Sequence, residues 1–150
     1  MTIRIEDAIA YRIHRTARVL RKHFHDLAEG AGLDLSQEQW FILNKLMHDD
    51  GVAQGELVDV LFGDRPNISR MLVALEERGD VVRRADRDDA RKVRVHLTAA
   101  GRRTHDAFSA LVPVARRQIG RSISAEDLDV ARRVLAQIES NAANLEPVPD

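Results

Sequence analysis

At 150 residues the chain has the length of one ordinary domain, and its composition, 44% hydrophobic and 31% charged, is that of a globular chain rather than a disordered one. The absence of cysteine excludes disulfides, thiolate metal ligands, cysteine nucleophiles and thiol redox sensing. A net charge of −1 argues by itself against a nucleic-acid partner. The distribution reverses that: between Arg65 and Arg103 eleven Arg and Lys face six Asp and Glu, a local +5 that leaves −6 for the remainder.

The N-terminal stretch is charged throughout and no apolar run approaches a bilayer's thickness, which predicts a soluble cytoplasmic protein with no membrane partner. From Ile5 to Ala28, Ile9, Ile13, Ala17, Leu20, Phe24 and Leu27 recur at steps of three and four and mark one stripe of a long helix that Gly30 and Gly32 end. Ser36 with Gln39 forms a capping box for a second helix carrying Trp40, Phe41, Leu43, Leu46 and Met47, stopped by Gly51. A short third helix from Gln54 to Leu61 is expected to bury Leu57, Val60 and Leu61, and Phe62-Gly63-Asp64 makes a tight turn. Asp64 caps a fourth helix, Pro66 sits in its first turn, Ile68, Leu72 and Leu75 share its inner face, and Gly79 closes it.

After Gly79 the period changes to two. Val93, Val95 and Leu97 alternate with Lys92, Arg94 and His96 as in a half-buried strand, with Val81 to Ala85 as partner and a charged tip at 86–90. Thr98 caps a fifth helix running to about Gly120, with Pro113 in its interior predicting a kink or break. Ser124 caps a sixth, with Leu128, Ala131, Leu135, Ile138 and Leu145 on its apolar stripe; residues 146–150 are expected to be disordered. The predicted fold is mainly α with a small β-hairpin, a single domain over 1–150.

Short helix, glycine turn, helix and hairpin in that order suit a duplex, because a helix fits the major groove and a two-stranded ribbon reaches the adjacent one. With Ile68, Leu72 and Leu75 inward, Arg65, Pro66, Asn67, Ser69 and Arg70 lie at the helix's N-terminal end. Arginine bonds guanine bidentately, asparagine reads adenine, and serine or backbone amides hold phosphate. In the hairpin, Arg84, Arg87, Arg91 and Lys92 supply positive charge suited to the minor groove, and Asp89 is placed to orient Arg91.

The stretches LSQEQWFIL, QGELVDVL, DRPNISRMLVALEERGDVVRR and DDARKVRVHLTAAG, in this order between Leu35 and Gly101, resemble the MarR family of winged helix-turn-helix transcriptional regulators. Asp89 and Arg91 match that family's wing aspartate and arginine, and residues 97–101 match its LTxxG segment. Two departures stand out: RPNISR at the start of the recognition helix, and Asp80, where an apolar residue is usual. The resemblance implies a winged lobe over 35–101, dimerisation helices over 1–30 and 102–145, and a homodimer on a near-palindromic operator, a repressor released by a small-molecule effector.

Members of that family bind aromatic or phenolic acids between the dimerisation helices and the DNA-binding lobe, which directs attention to His14, Arg18, Trp40, Asn44 and His105 as cationic, stacking and hydrogen-bonding groups. A metal-responsive regulator is an alternative on six histidines, but His23 and His25 point to different sides of one helix and no His-x3-His motif exists. No metal or other cofactor is therefore expected. No enzyme is expected either, since the chain lacks a phosphate-cradling glycine loop, a nucleophile elbow and a spaced carboxylate pair. A winged helix that binds protein instead of DNA, as an adaptor, is the remaining alternative.

Overall fold

The computed structural model describes residues 4–61 and 63–144, and of Val60 the backbone alone. The expected burial of Val60, the place of Phe62 in its turn, the contribution of Leu145 and the tail 146–150 lie outside the described residues. The chain divides into two compact units, one up to Ala115 and one from Arg116 onward.

The first unit opens with a 3-10 turn (Ile5–Asp7) and α1 (Ile9–Gly30), followed by α2 (Gln37–His48), β1 (Val52–Ala53), α3 (Gln54–Val60), α4 (Arg65–Glu77), β2 (Val81–Ala85), β3 (Val93–Leu97) and α5 (Ala99–Ser109). Helix α1 thus starts later than its apolar stripe suggests, because Ala8 is extended. It ends where Gly32 takes φ +71°, with the Gly32 amide donating to Glu29 O at 2.9 Å and the Leu33 amide to Ala28 O at 2.8 Å. That paired closure satisfies carbonyls that would otherwise be left open at a helix end.

The caps follow local chemistry. Ser36 Oγ accepts the Gln39 amide at 3.1 Å while Gln39 Oε1 accepts the Ser36 amide at 3.0 Å, completing the box at α2. Ile42, Leu43 and Leu46 of α2, Leu57 of α3, Ile68, Leu72 and Leu75 of α4, Val95 of β3 and Phe108 of α5 are fully buried together. Each such side chain contributes roughly 1.5–3 kcal/mol on leaving water. Phe41, one of the apolar residues that α2 carries, is 39% exposed.

The sheet holds one strand more than the hairpin expected. Its order is β1-β3-β2, all antiparallel, with Val52 opposite Val95 and Val81 opposite Leu97. Two residues are too short to show a period, so β1 is recruited by the edge of β3. Burial on β3 begins only at Val95; Val93, at the far end of the ribbon, is exposed.

The long fifth helix of the sequence is two helices. After α5, a turn at residues 110–111 leads into α6 (Val112–Ile119), where Pro113 is the second residue. A helix start lacks an intrahelical partner for its first amides, so proline is accommodated there and not in an interior. In the second unit, α7 (Ala125–Ala143) begins at Ser124, whose hydroxyl accepts the Asp127 amide at 3.0 Å.

Candidate nucleic-acid interface

Helix α4 is held by its inner face and its cap. The Asp64 carboxylate accepts the Asn67 amide at 2.7 Å, and Pro66 occupies the second position, where no intrahelical donor is lost. With Ile68, Leu72 and Leu75 buried, Arg65, Pro66 and Arg70 are exposed, and Asn67 and Ser69 are half-buried beside them. The free amides and macrodipole of the helix start add partial positive charge at the same end.

The wing is built around Asp86. Its Oδ1 accepts the amides of Asp88 at 2.8 Å and Asp89 at 3.0 Å, and its Oδ2 accepts Arg94 Nε. Arg94 in turn donates through Nη1 to Gly51 O at 2.8 Å, tying the ribbon to the turn before β1. The Asp88 amide first, then the Arg94 guanidinium and the Asp89 amide, hold the Asp86 carboxyl down to about 2. At the tip, Asp89 Oδ1 accepts both the backbone amide and Nε of Arg91 at 3.1 Å, and Arg91 lowers the Asp89 pKa. The Arg91 side chain nevertheless stands 92% exposed, so the pair aims the guanidinium without burying it.

The basic residues of this region divide into two sets. Arg78 is bound to Asp80, Arg83 to Glu76 at 2.7 Å, and Arg94 to Asp86, so these three serve the lobe's own architecture. Among the described residues, Arg65, Arg70, Arg84, Arg87 and Lys92 make no ion pair, and all five are exposed. Arg65 of α4 and Arg91 and Lys92 of the wing line one open groove of about 560 Å³, whose other wall is the start of α3 with Gln54, Glu56 and Asp59. The recognition-helix start and the ribbon therefore face a common space. Gln54 had no sequence signal beyond its place at a helix start.

A sequence model of the MarR family matches residues 32–92. That stretch runs from the turn after α1 through the wing tip and contains the Ser36 and Asp64 caps and every ion pair just described except that of Arg94. A probable transcriptional regulator from Pseudomonas aeruginosa superposes with TM-score 0.81 at 28% identity, covering 90% of this chain and 99% of that one. The transcriptional repressor CouR, solved bound to a 23-mer DNA duplex, is 25% identical with TM-score 0.81, over 93% of this chain and 99% of its own. PcaV from Streptomyces coelicolor, in complex with its natural ligand, shares the fold at TM-score 0.83 and 17% identity, over 95% and 99%.

The five residues considered for an effector fall into two groups. Trp40, Asn44 and His105 meet: the Trp40 and His105 rings stack at 6.3 Å and 10°, and His105 Nε2 lies 3.1 Å from Asn44 Oδ1. Ser109, one turn beyond His105 on α5, joins them by accepting Trp40 Nε1 at 3.2 Å. Its i+4 spacing from His105 was a legible signal. His14 and Arg18 are not in that cluster; they line a separate groove along α1 with Tyr11, Arg15, Lys22 and His23. Among the described residues no group of three His, Asp or Glu side chains is placed to hold a metal ion, and no helix is long and apolar enough to cross a membrane.

Proposed function

We propose that this chain is a transcriptional regulator of the MarR family that binds double-stranded DNA in a sequence-specific manner as a homodimer, and that it is a repressor released by a small-molecule effector. The observation that carries the reading is the shared groove of Arg65, Arg91 and Lys92, which offers a helix start and a ribbon to one duplex. Asn67, Ser69 and Arg70, with Arg65 and Pro66, read base edges; Arg84, Arg87 and Lys92, with Arg91 aimed by Asp89, hold phosphate and minor groove. The fold that CouR presents to its DNA duplex supports the same use here.

A second copy is the partner for the apolar side chains left in water on the terminal helices. Ile9 and Val19 of α1 and Val134 and Leu135 of α7 are all exposed. Two recognition helices about 34–36 Å apart then call for a near-palindromic operator. The stacked Trp40 and His105 with Asn44 and Ser109 suit a small aromatic acid, the rings taking its face and the polar groups its carboxylate. The chemistry this reading assigns to the site is that of binding.

Gel shift with the DNA flanking the protein's own gene, over a salt series, tests the reading. Neutralising about eight phosphates predicts a slope of log affinity against log salt on the order of −7. A strictly monomeric protein, or one with no salt-sensitive attraction to any duplex, would rule the proposal out.

A further inference from the structure

Asp80 stands where the sequence pattern calls for an apolar residue, directly after the glycine that closes α4. The turn itself has the usual form: Gly79 at φ +79° donates to Glu76 O at 2.9 Å, and the Asp80 amide donates to Leu75 O at 2.8 Å. The residue in that position ordinarily makes a hydrophobic contact back onto the helix. Here it is a carboxylate, only 3% exposed, and its side chain and carbonyl reach beyond the helix that the turn closes.

Oδ2 accepts a hydrogen bond from Arg78 Nε at 3.0 Å and lies in ion-pair range of Nη2, which donates no hydrogen bond among the described residues, and Oδ1 accepts Thr104 Oγ1 of α5 at 2.8 Å. Arg78 reaches on through Nη1 to the carbonyl of Asp34, before α2, and to the capping Gln39 at 3.4 Å. The Asp80 carbonyl is used as well, accepting both the amide (3.1 Å) and the hydroxyl (3.0 Å) of Thr98 at the cap of α5. One residue thus ties the C-terminal end of α4 to α5, to the start of α2 and to the segment after α1.

A buried ion pair does little for net stability compared with a well-packed hydrophobe, but its contacts are directional. A leucine here would adhere to α5 at many angles; the carboxylate holds at one. We infer that Asp80, with Arg78 and Thr104, is a positioning cluster that sets the angle of the recognition helix against α5, and so the half-site spacing that the assembled protein accepts. The inference rests on the proposed dimeric DNA binding.

The test uses a half-site selected from random duplexes, arranged as inverted repeats at the selected spacing and with one base pair added or removed. An added base pair moves a half-site by one rise and rotates it by about 34°, so a rigid wild type is expected to lose about tenfold in affinity. T104V and D80N should lose only about threefold or less between spacings, and T104S, which keeps the hydroxyl, should restore the wild-type profile. T104V carries the comparison if D80N fails to give a cooperative melt. Variants that retain the wild-type spacing profile, or that weaken on all spacings equally, would overturn the inference while leaving the proposed function intact. A wild type that binds none of the duplexes removes both.

Discussion

The Asp80 carbonyl and Gly101 are packed so closely that a Cβ on residue 101 would stand 2.0 Å from the Asp80 oxygen and 2.7 Å from Leu97 Cδ1. The glycine is required here by a close approach of two backbones, where the start of α5 crosses the turn after α4. Gly101→Ala should therefore destabilise the first unit by about 3 kcal/mol, the upper part of the range for overpacking a core. Thermal denaturation followed by circular dichroism checks this. A melting temperature within a degree of wild type would show that the crossing is looser than described.

Arg91 and the α4 start should differ in kind when substituted. Arg91→Ala removes an exposed charge aimed by Asp89, so binding should weaken on all duplexes alike and the salt slope should fall by about one. Asn67→Ala or Arg70→Ala should instead change which sequences are preferred, at about 1–3 kcal/mol per lost base contact. Competition gel shifts against a panel of base-substituted sites separate the two patterns.

The Asp86 carboxyl titrates at about 2 in the folded chain, below the ordinary 3.8. A depressed folded value means that the contribution is complete above about pH 4 and is lost as the pH falls through 2, where the carboxylate protonates and releases the Asp88 and Asp89 amides. NMR shifts of those two amides should stay constant from neutral pH to about 4 and move with a midpoint near 2. In D86N that titration should vanish and the wing amides should exchange faster at every pH. An unchanged titration would assign the effect to another carboxylate.

Trp40 reports on the cluster of α2 and α5. An aromatic carboxylate that enters beside the stacked Trp40 and His105 should quench the emission of Trp40, the chain's one tryptophan, and weaken operator binding at the same concentrations. Asn44→Ala and His105→Ala should reduce both effects together, while His14→Ala, on the separate α1 groove, should leave them unchanged. Fluorescence titration with a panel of such acids up to millimolar concentration decides it; no change in emission with any of them removes the effector site from this cluster.

Much of the local architecture was legible from residues near one another in the chain. Ser36, Asp64, Thr98 and Ser124 each cap the helix expected of them, and Ile68, Leu72 and Leu75 turn inward, because caps and helix faces depend on spacings of three and four. Pro113 announced a break, but its place in the first turn of a new helix depended on where α5 stopped packing. The short β1 carried no signal, since only pairing with Val95 and Arg94 makes it a strand.

By itself the amino-acid order determined the helix caps at Ser36, Asp64, Thr98 and Ser124, the change from helical to alternating period after Gly79 and the concentration of positive charge between Arg65 and Arg103. Tertiary structure alone decided which of those charges are consumed, sending Arg78, Arg83 and Arg94 to internal carboxylates while Arg65 and Arg91 share a groove. It also joined Trp40 to Ser109, 69 residues away, and left His14 and Arg18 elsewhere. The physical reason is range: caps and periodicity are set by neighbours along the backbone, whereas an ion pair or a ring stack depends on which distant side chains the packed core brings within a few ångströms.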